Sequence, residues 1–261
     1  MVSADIRCIG LLAFGFVIGL SSMYDGVKKY LLAQKIRDTP TSTVEAAAVG
    51  LVELKGKAMC DAPTYSPIAK QKCAYWKLRG QYYRSGKNGG WRDIYSAAST
   101  ANFLIQDQTG SMLVDPVGAE IDIPQDKLYE GYISGKGIFG AAHTQMDQSV
   151  VDFVNALGPD DRQKFMNHKN EDVRIYEYYI AEGDDIYVLG SAEPRDGVAS
   201  SVGYENLVVR KSNTDNTMFI SDSGERKLLE KFGGQLYLKI LFGFALSSAC
   251  LFIVLAYLLG V

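Results

Sequence analysis

Two uncharged apolar runs, one near each end, constrain this chain more than anything between them. The first is CIGLLAFGFVIGLSSMY, Cys8 to Tyr24, and the second is ILFGFALSSACLFIVLAYLLG, Ile240 to Gly260. About 20 apolar residues cross a bilayer as a helix. The second run reaches that length and lacks the polar stripe of a globular core helix. The first is shorter, and a cleaved signal peptide is its rival reading. Asp5 opposes Arg7 in the leading segment and no A-x-A site follows, so the run reads as a retained anchor. The expected organisation is a transmembrane helix with a helical extension over 1–42 (span about 8–24), a soluble domain over 43–222, and an amphipathic helix entering a second span over 223–261 (span about 240–260).

The charge pattern bears on sidedness and partners. Lys28, Lys29, Lys35 and Arg37 follow the first run, while Arg226, Lys227, Lys231 and Lys239 precede the second. Lys and Arg beside a span tend to stay cytoplasmic, which places the middle domain there. A formal net charge of −3 without a concentrated basic surface gives no expectation of nucleic-acid binding.

Between the runs the texture is that of strands. AAAVGLVELKGKA, CAYWKLRGQYYR, WRDIYSAAS and NFLIQDQTGSMLVDP alternate polar and apolar residues, and SGKNGG supplies a hairpin turn. QMDQSVVDFVNALG and PDDRQKFMNH read as short helices, the second opened by Pro159. VRIYEYYI and DDIYVLGSA flank the turn AEGD and read as a second hairpin, followed by strands NLVVRK and TMFISD. The expected class is α+β: a β-rich, antiparallel, small barrel or sandwich between two transmembrane helices.

Chemistry-bearing constellations are sparse. GKGIFG at 135–140 fits G-x-G-x-x-G but lacks the βαβ setting of a dinucleotide loop, so a flexible loop is expected. His143 and His168 have no partner at ligand spacing. There is no P-loop, H-E-x-x-H, G-x-S-x-G or C-x-x-C, so no catalytic residue, metal site or cofactor is expected. Cys60 and Cys73 form a disulfide if the domain faces an oxidising compartment and remain free thiols in the cytoplasm. Gly15 with Gly19, and Gly243 with Ser247, are small-x-x-x-small pairs suited to close helix packing. The 16 tyrosines fall mostly on strands. Sheet packing accounts for most of them. Tyr82, Tyr83, Trp91 and Tyr178 are the candidates for a contact surface, because such residues are enriched at interfaces.

The ordered set SPIAKQKCAYWKLRGQYYR, GGWRDIY, NFLIQDQTGSMLVDP, YEYYIAEGDDIYVLGSA and MFISDSGERKLL, with its flanking apolar runs, resembles the GIDE family, also called the beside-a-membrane domain. That family is known from organellar membrane-anchored ubiquitin ligases and from prokaryotic proteins. The resemblance implies the fold and the anchoring, and for organellar relatives it implies a domain on the side away from the RING, against the charge pattern. The sequence stops at Val261 with no RING ligands, so ligase catalysis is not expected. The leading expectation is a noncatalytic, membrane-anchored interaction module or accessory subunit in a prokaryotic plasma membrane. Its partners would be the lipid bilayer and another membrane protein or a second copy. The alternatives are a RING-less scaffold in a ubiquitin-like conjugation or membrane-stress pathway, and a small-ligand site at the Gly-rich loop near His143.

Overall fold

A computed structural model describes residues 2–87, 89–134, 145–195, 204–212, 217–222 and 225–259. The elements in chain order are α1 (Val2–Asp38), β1 (Thr41–Ser42), β2 (Gly50–Cys60), β3 (Cys73–Arg84), β4 (Gly90–Ala98), β5 (Phe103–Gln106), β6 (Ser111–Val114), β7 (Glu120–Asp122), β8 (Lys127–Gly131), α2 (Gln148–Ala156), α3 (Pro159–Met166), β9 (Val173–Ala181), β10 (Asp185–Pro194), β11 (Leu207–Arg210), β12 (Phe219–Ser221) and α4 (Glu225–Leu259). They divide into a helical unit, Met1–Pro40 with Gly224–Val261, and a β-rich unit, Thr41–Ser223.

In the helical unit α1 and α4 pack as an antiparallel pair. Gly10–Leu31 and Leu238–Ala256 are long and apolar enough to cross a membrane. The seam between them is built from small residues. A methyl group at Gly243 would lie 2.6 Å from the Gly19 carbonyl oxygen and 2.7 Å from the Met23 nitrogen. A methyl at Gly19 would meet the Ser247 nitrogen at 2.8 Å, and one at Gly15 would meet the Cys250 sulfur at 2.9 Å. Seam positions recur in steps of three and four: Gly15, Gly19, Ser22 and Gly26 against Ile240, Gly243, Ser247 and Cys250. That spacing averages half a heptad, the period that keeps one stripe facing its partner. Ser22 Oγ adds a 3.3 Å hydrogen bond to the Lys239 carbonyl, and Ser247 Oγ is satisfied within its own helix by the Gly243 carbonyl at 2.8 Å.

The large apolar side chains point the other way. Phe14 is 65 % exposed, Leu241 65 % and Phe252 72 %, and only 11 % and 17 % of the two apolar stretches is buried. A core helix of a water-soluble protein buries its large residues. Small residues inside and large ones outside is the arrangement that lipid favours, because close backbone approach drives helix pairing there.

The β-rich unit holds two sheets. In the first, β2 pairs antiparallel with β5, β5 with β6, and β10 with both β11 and β2, while β6 and β11 run parallel. These five strands close into a barrel, a small Greek-key architecture without free edges. Its interior is filled by Leu54, Phe103, Ile105, Met112, Val114, Val188 and Val209. Close approach explains Gly56, whose added Cβ would collide with the Gln106 carbonyl. β10 also pairs with β12, which continues the sheet parallel to β7. Glu53 is fully buried on β2, where Tyr187 Oη donates to it at 3.0 Å and the Thr41 hydroxyl also donates.

The second sheet is antiparallel in the order β4-β3-β9-β8. One face packs on α2 and α3 through Leu78, Val150, Val154, Phe165, Val173 and Ile175. Gly80 makes room for the Phe165 ring, which stands 3.0 Å from where its Cβ would be. The fully buried Glu177 of β9 accepts hydrogen bonds from the Ile68 and Ala69 nitrogens at 2.9 and 3.0 Å and from Tyr129 Oη at 3.2 Å. Those bonds satisfy the carboxylate and pin the loop SPIAKQ onto the sheet.

One local expectation is corrected. β9 and β10 flank the tight turn at Gly183 (φ +92°), yet they do not pair as a hairpin. β9 joins the second sheet and β10 enters the barrel. The turn residues are indeed turn residues, but β9 finds β3 and β8 as its partners and β10 finds β2, β11 and β12. Long-range pairing therefore overrides the local hairpin signal.

The seam can be tested directly. A Gly15→Cys sulfur would stand beside Cys250 at a separation suited to a disulfide. Mild oxidation of that variant should yield a cross-linked α1–α4 pair, measured by thiol blocking and peptide mapping. Adding Gly243→Val should strongly suppress the cross-link, since forced overpacking costs about 1–3 kcal/mol.

Candidate functional site

The second sheet has one face left open by its helices. Along β3 the residues that alternate away from the helices are Lys77, Arg79, Gln81 and Tyr83. Their cross-strand neighbours are Asp93 and Trp91 on β4, and Tyr178, Tyr176 and Arg174 on β9. Leu128 and Glu130 of β8 extend the face opposite Tyr176 and Arg174. A β-bulge sets part of this arrangement. The register steps from Gly80↔Tyr95 to Gln81↔Asp93, skipping Ile94. Tyr95 thereby turns inward against Phe153 and Phe165, while Asp93, two residues earlier, still faces outward.

The outward residues lock together. Arg79 grips Asp93 with two hydrogen bonds, 2.8 Å from Nε and 3.0 Å from Nη2. Gln81, almost fully buried, donates from Nε2 to the same carboxylate at 2.7 Å. The Gln81 carbonyl oxygen accepts from Arg174 Nε at 2.8 Å. The Arg174 guanidinium lies 3.9 Å over the Trp91 ring and 5.0 Å from the Tyr176 ring centre. Tyr83 meets Trp91 edge-on at 5.5 Å, and Tyr176 stacks with Tyr178 at 6.4 Å. The Arg79 guanidinium and the Gln81 amide hold the Asp93 carboxyl down at about 2. Asp93 therefore stays ionised across any physiological pH, and the relay does not loosen by titration in that range. Burial pushes the Tyr178 hydroxyl above its usual value, partly opposed by Arg79.

The residues singled out from sequence are distributed as follows. Tyr83, Trp91 and Tyr178 share the open face. Tyr82 points to the other side, stacked on His168 with ring centres 3.6 Å apart. His168 Nδ1 lies 3.2 Å from Glu171 Oε2, a local contact. Gly19, Gly243 and Ser247 meet in the helix seam, with Gly15 alongside Cys250. Cys60, half-buried at the end of β2, and Cys73, buried at the start of β3, are free thiols. Burial pushes the Cys73 thiol up to about 12 and raises Cys60 more mildly. The Gly-rich loop 135–140 and His143 lie outside the described residues. Among the described residues no group of three His, Cys, Asp or Glu is placed to hold a metal ion.

Sequence reasoning missed Arg79, Gln81, Asp93 and Arg174. Their signal was the strand register: Gln81 is the cross-strand neighbour of both Asp93 and Arg174. What this face offers is a rigid, preformed contact surface rich in Arg, Trp and Tyr, the residue types that carry binding energy at interfaces.

A family model described as GIDE, E3 Ubiquitin ligase, matches residues 77–255, from β3 into α4. The chain belongs to the GIDE family. No curated protein and no solved structure matches it.

Proposed function

We propose that this GIDE-family chain is a membrane-anchored interaction module without catalysis of its own, acting as an accessory subunit of a membrane protein complex. The observation that carries the reading is the open sheet face. Arg79, Asp93, Gln81 and Arg174 hold one another in place as a preformed surface. Such pre-ordering lowers the entropy lost on binding a partner. The helix pair supports anchoring, with small residues at the seam and large apolar ones outside.

The partner is another membrane protein or a second copy of the chain, in the plasma membrane of a prokaryotic cell. The family's link to ubiquitin ligases supports a second reading, a scaffold in a ubiquitin-like conjugation pathway. The β-rich unit is on the cytoplasmic side in this proposal, because Lys28 and Lys29 follow the uncharged run 8–24 and Lys239 precedes the run 240–260.

A photo-crosslinking residue at Tyr83 in native membranes should form an adduct with a specific membrane protein or with a second copy. The same residue at Tyr82, on the helix-packed side, should not. Equal adducts from both positions, or none from Tyr83, would sink the module reading. A membrane-impermeant maleimide should reach Cys60 only after cells are permeabilised, and labelling in intact cells would move the domain to the outside.

A further inference from the structure

The contents of the open face identify the kind of partner it takes. Arg174 is held by Gln81 through Nε and by Trp91 and Tyr176 through its plane, and its two Nη groups have no hydrogen-bond partner among the described residues. It is a guanidinium fixed in orientation with its donors unfilled. Glu130 lies across the strand from it without forming an ion pair. Arg84, Lys87 and Arg92 surround the tip of the adjoining β3–β4 hairpin, all exposed and none ion-paired among the described residues. Residues 83–92 contain no acid, in a chain whose net charge is −3. Asp93, which follows that segment in β4, is already neutralised by Arg79.

We propose that Arg174, with Trp91 and Tyr176 beneath it, is a receptor for carboxylates on an acidic segment of a partner protein. This rests on the interaction-module reading above and adds the chemistry of the partner. A planar fork with free donors matches a carboxylate by two parallel hydrogen bonds, which a lysine ammonium cannot reproduce. The neighbouring rings lie packed within the sheet face, Trp91 between Arg174 and the edge of Tyr83, instead of projecting as a wedge. That geometry suits a peptide laid across the sheet more than insertion between lipids. The exposed cations at the hairpin tip steer an acidic chain toward this end of the sheet and make the association salt-sensitive.

The test uses the full chain in phosphatidylcholine nanodiscs and a fluorescent peptide of alternating glutamate and glycine, with its glutamine counterpart as control. The glutamate peptide should bind, more weakly as salt rises, and the glutamine peptide should not. Arg174→Lys keeps the charge but loses the fork and should weaken binding by about tenfold. Glu130→Gln removes the carboxylate across the strand from Arg174 and should strengthen binding, so the result does not hinge on one variant folding. Equal binding of both peptides, or unchanged affinity in both variants, overturns the proposal. So does slowed hydrogen exchange of the β3–β4 hairpin on phosphatidylglycerol nanodiscs with no peptide bound, which would assign the cradle to lipid headgroups. A Tyr83 adduct that survives Arg174→Lys overturns the carboxylate receptor and leaves the module reading standing. Peptide binding as described without any Tyr83 adduct does the reverse.

Discussion

Direct backbone contact between Gly19 and Gly243 is the constraint on which the rest of this architecture depends. It lets two long helices lie against each other where large side chains would hold them apart. An antiparallel pair of this kind brings the end of α1 and the start of α4 to the same level. Within the β-rich unit the first and last strands meet. Its first residues and its last strand converge on Tyr187, whose hydroxyl shares Glu53 with Thr41 and whose backbone faces Ser221 across the sheet.

Within the β-rich unit the polar groups that are buried are those that define its shape. Glu53 ties the entry strand to the barrel and Glu177 pins the loop before β3 to the second sheet. A buried carboxylate costs several kcal/mol if left unsatisfied, so each fixes the groups that bond it. The open face is rigid for the same reason. Its outward groups are bonded to one another before any partner arrives, which leaves a defined surface and, among the described residues, a defined remainder, the unfilled Nη groups of Arg174.

Much of this was legible in the sequence. Uncharged length marked the two apolar helices, and alternation with turn residues marked most strands. What was not legible depends on who pairs with whom. The turn at Gly183 has every mark of a hairpin, yet its two strands belong to different sheets. Tyr82 and Tyr83 are equal as letters, and only the helices on one side of the sheet make one a packing residue and the other a surface residue. Arg174 and Asp93 are 81 positions apart in sequence and meet through Gln81, a relation that appears only once the register and the bulge at Ile94 are known.

The exposure of large apolar side chains on α1 and α4 is what placement of this helix pair in lipid would require. Spin labels placed singly at Phe14 and Phe252 in the reconstituted chain test it by collision with oxygen, which concentrates in lipid, and with a nickel chelate, which stays in water. A helix pair in lipid gives frequent oxygen collisions and scarce chelate collisions at both positions. Chelate access at Phe14 and Phe252 equal to that at exposed Tyr83 would contradict it.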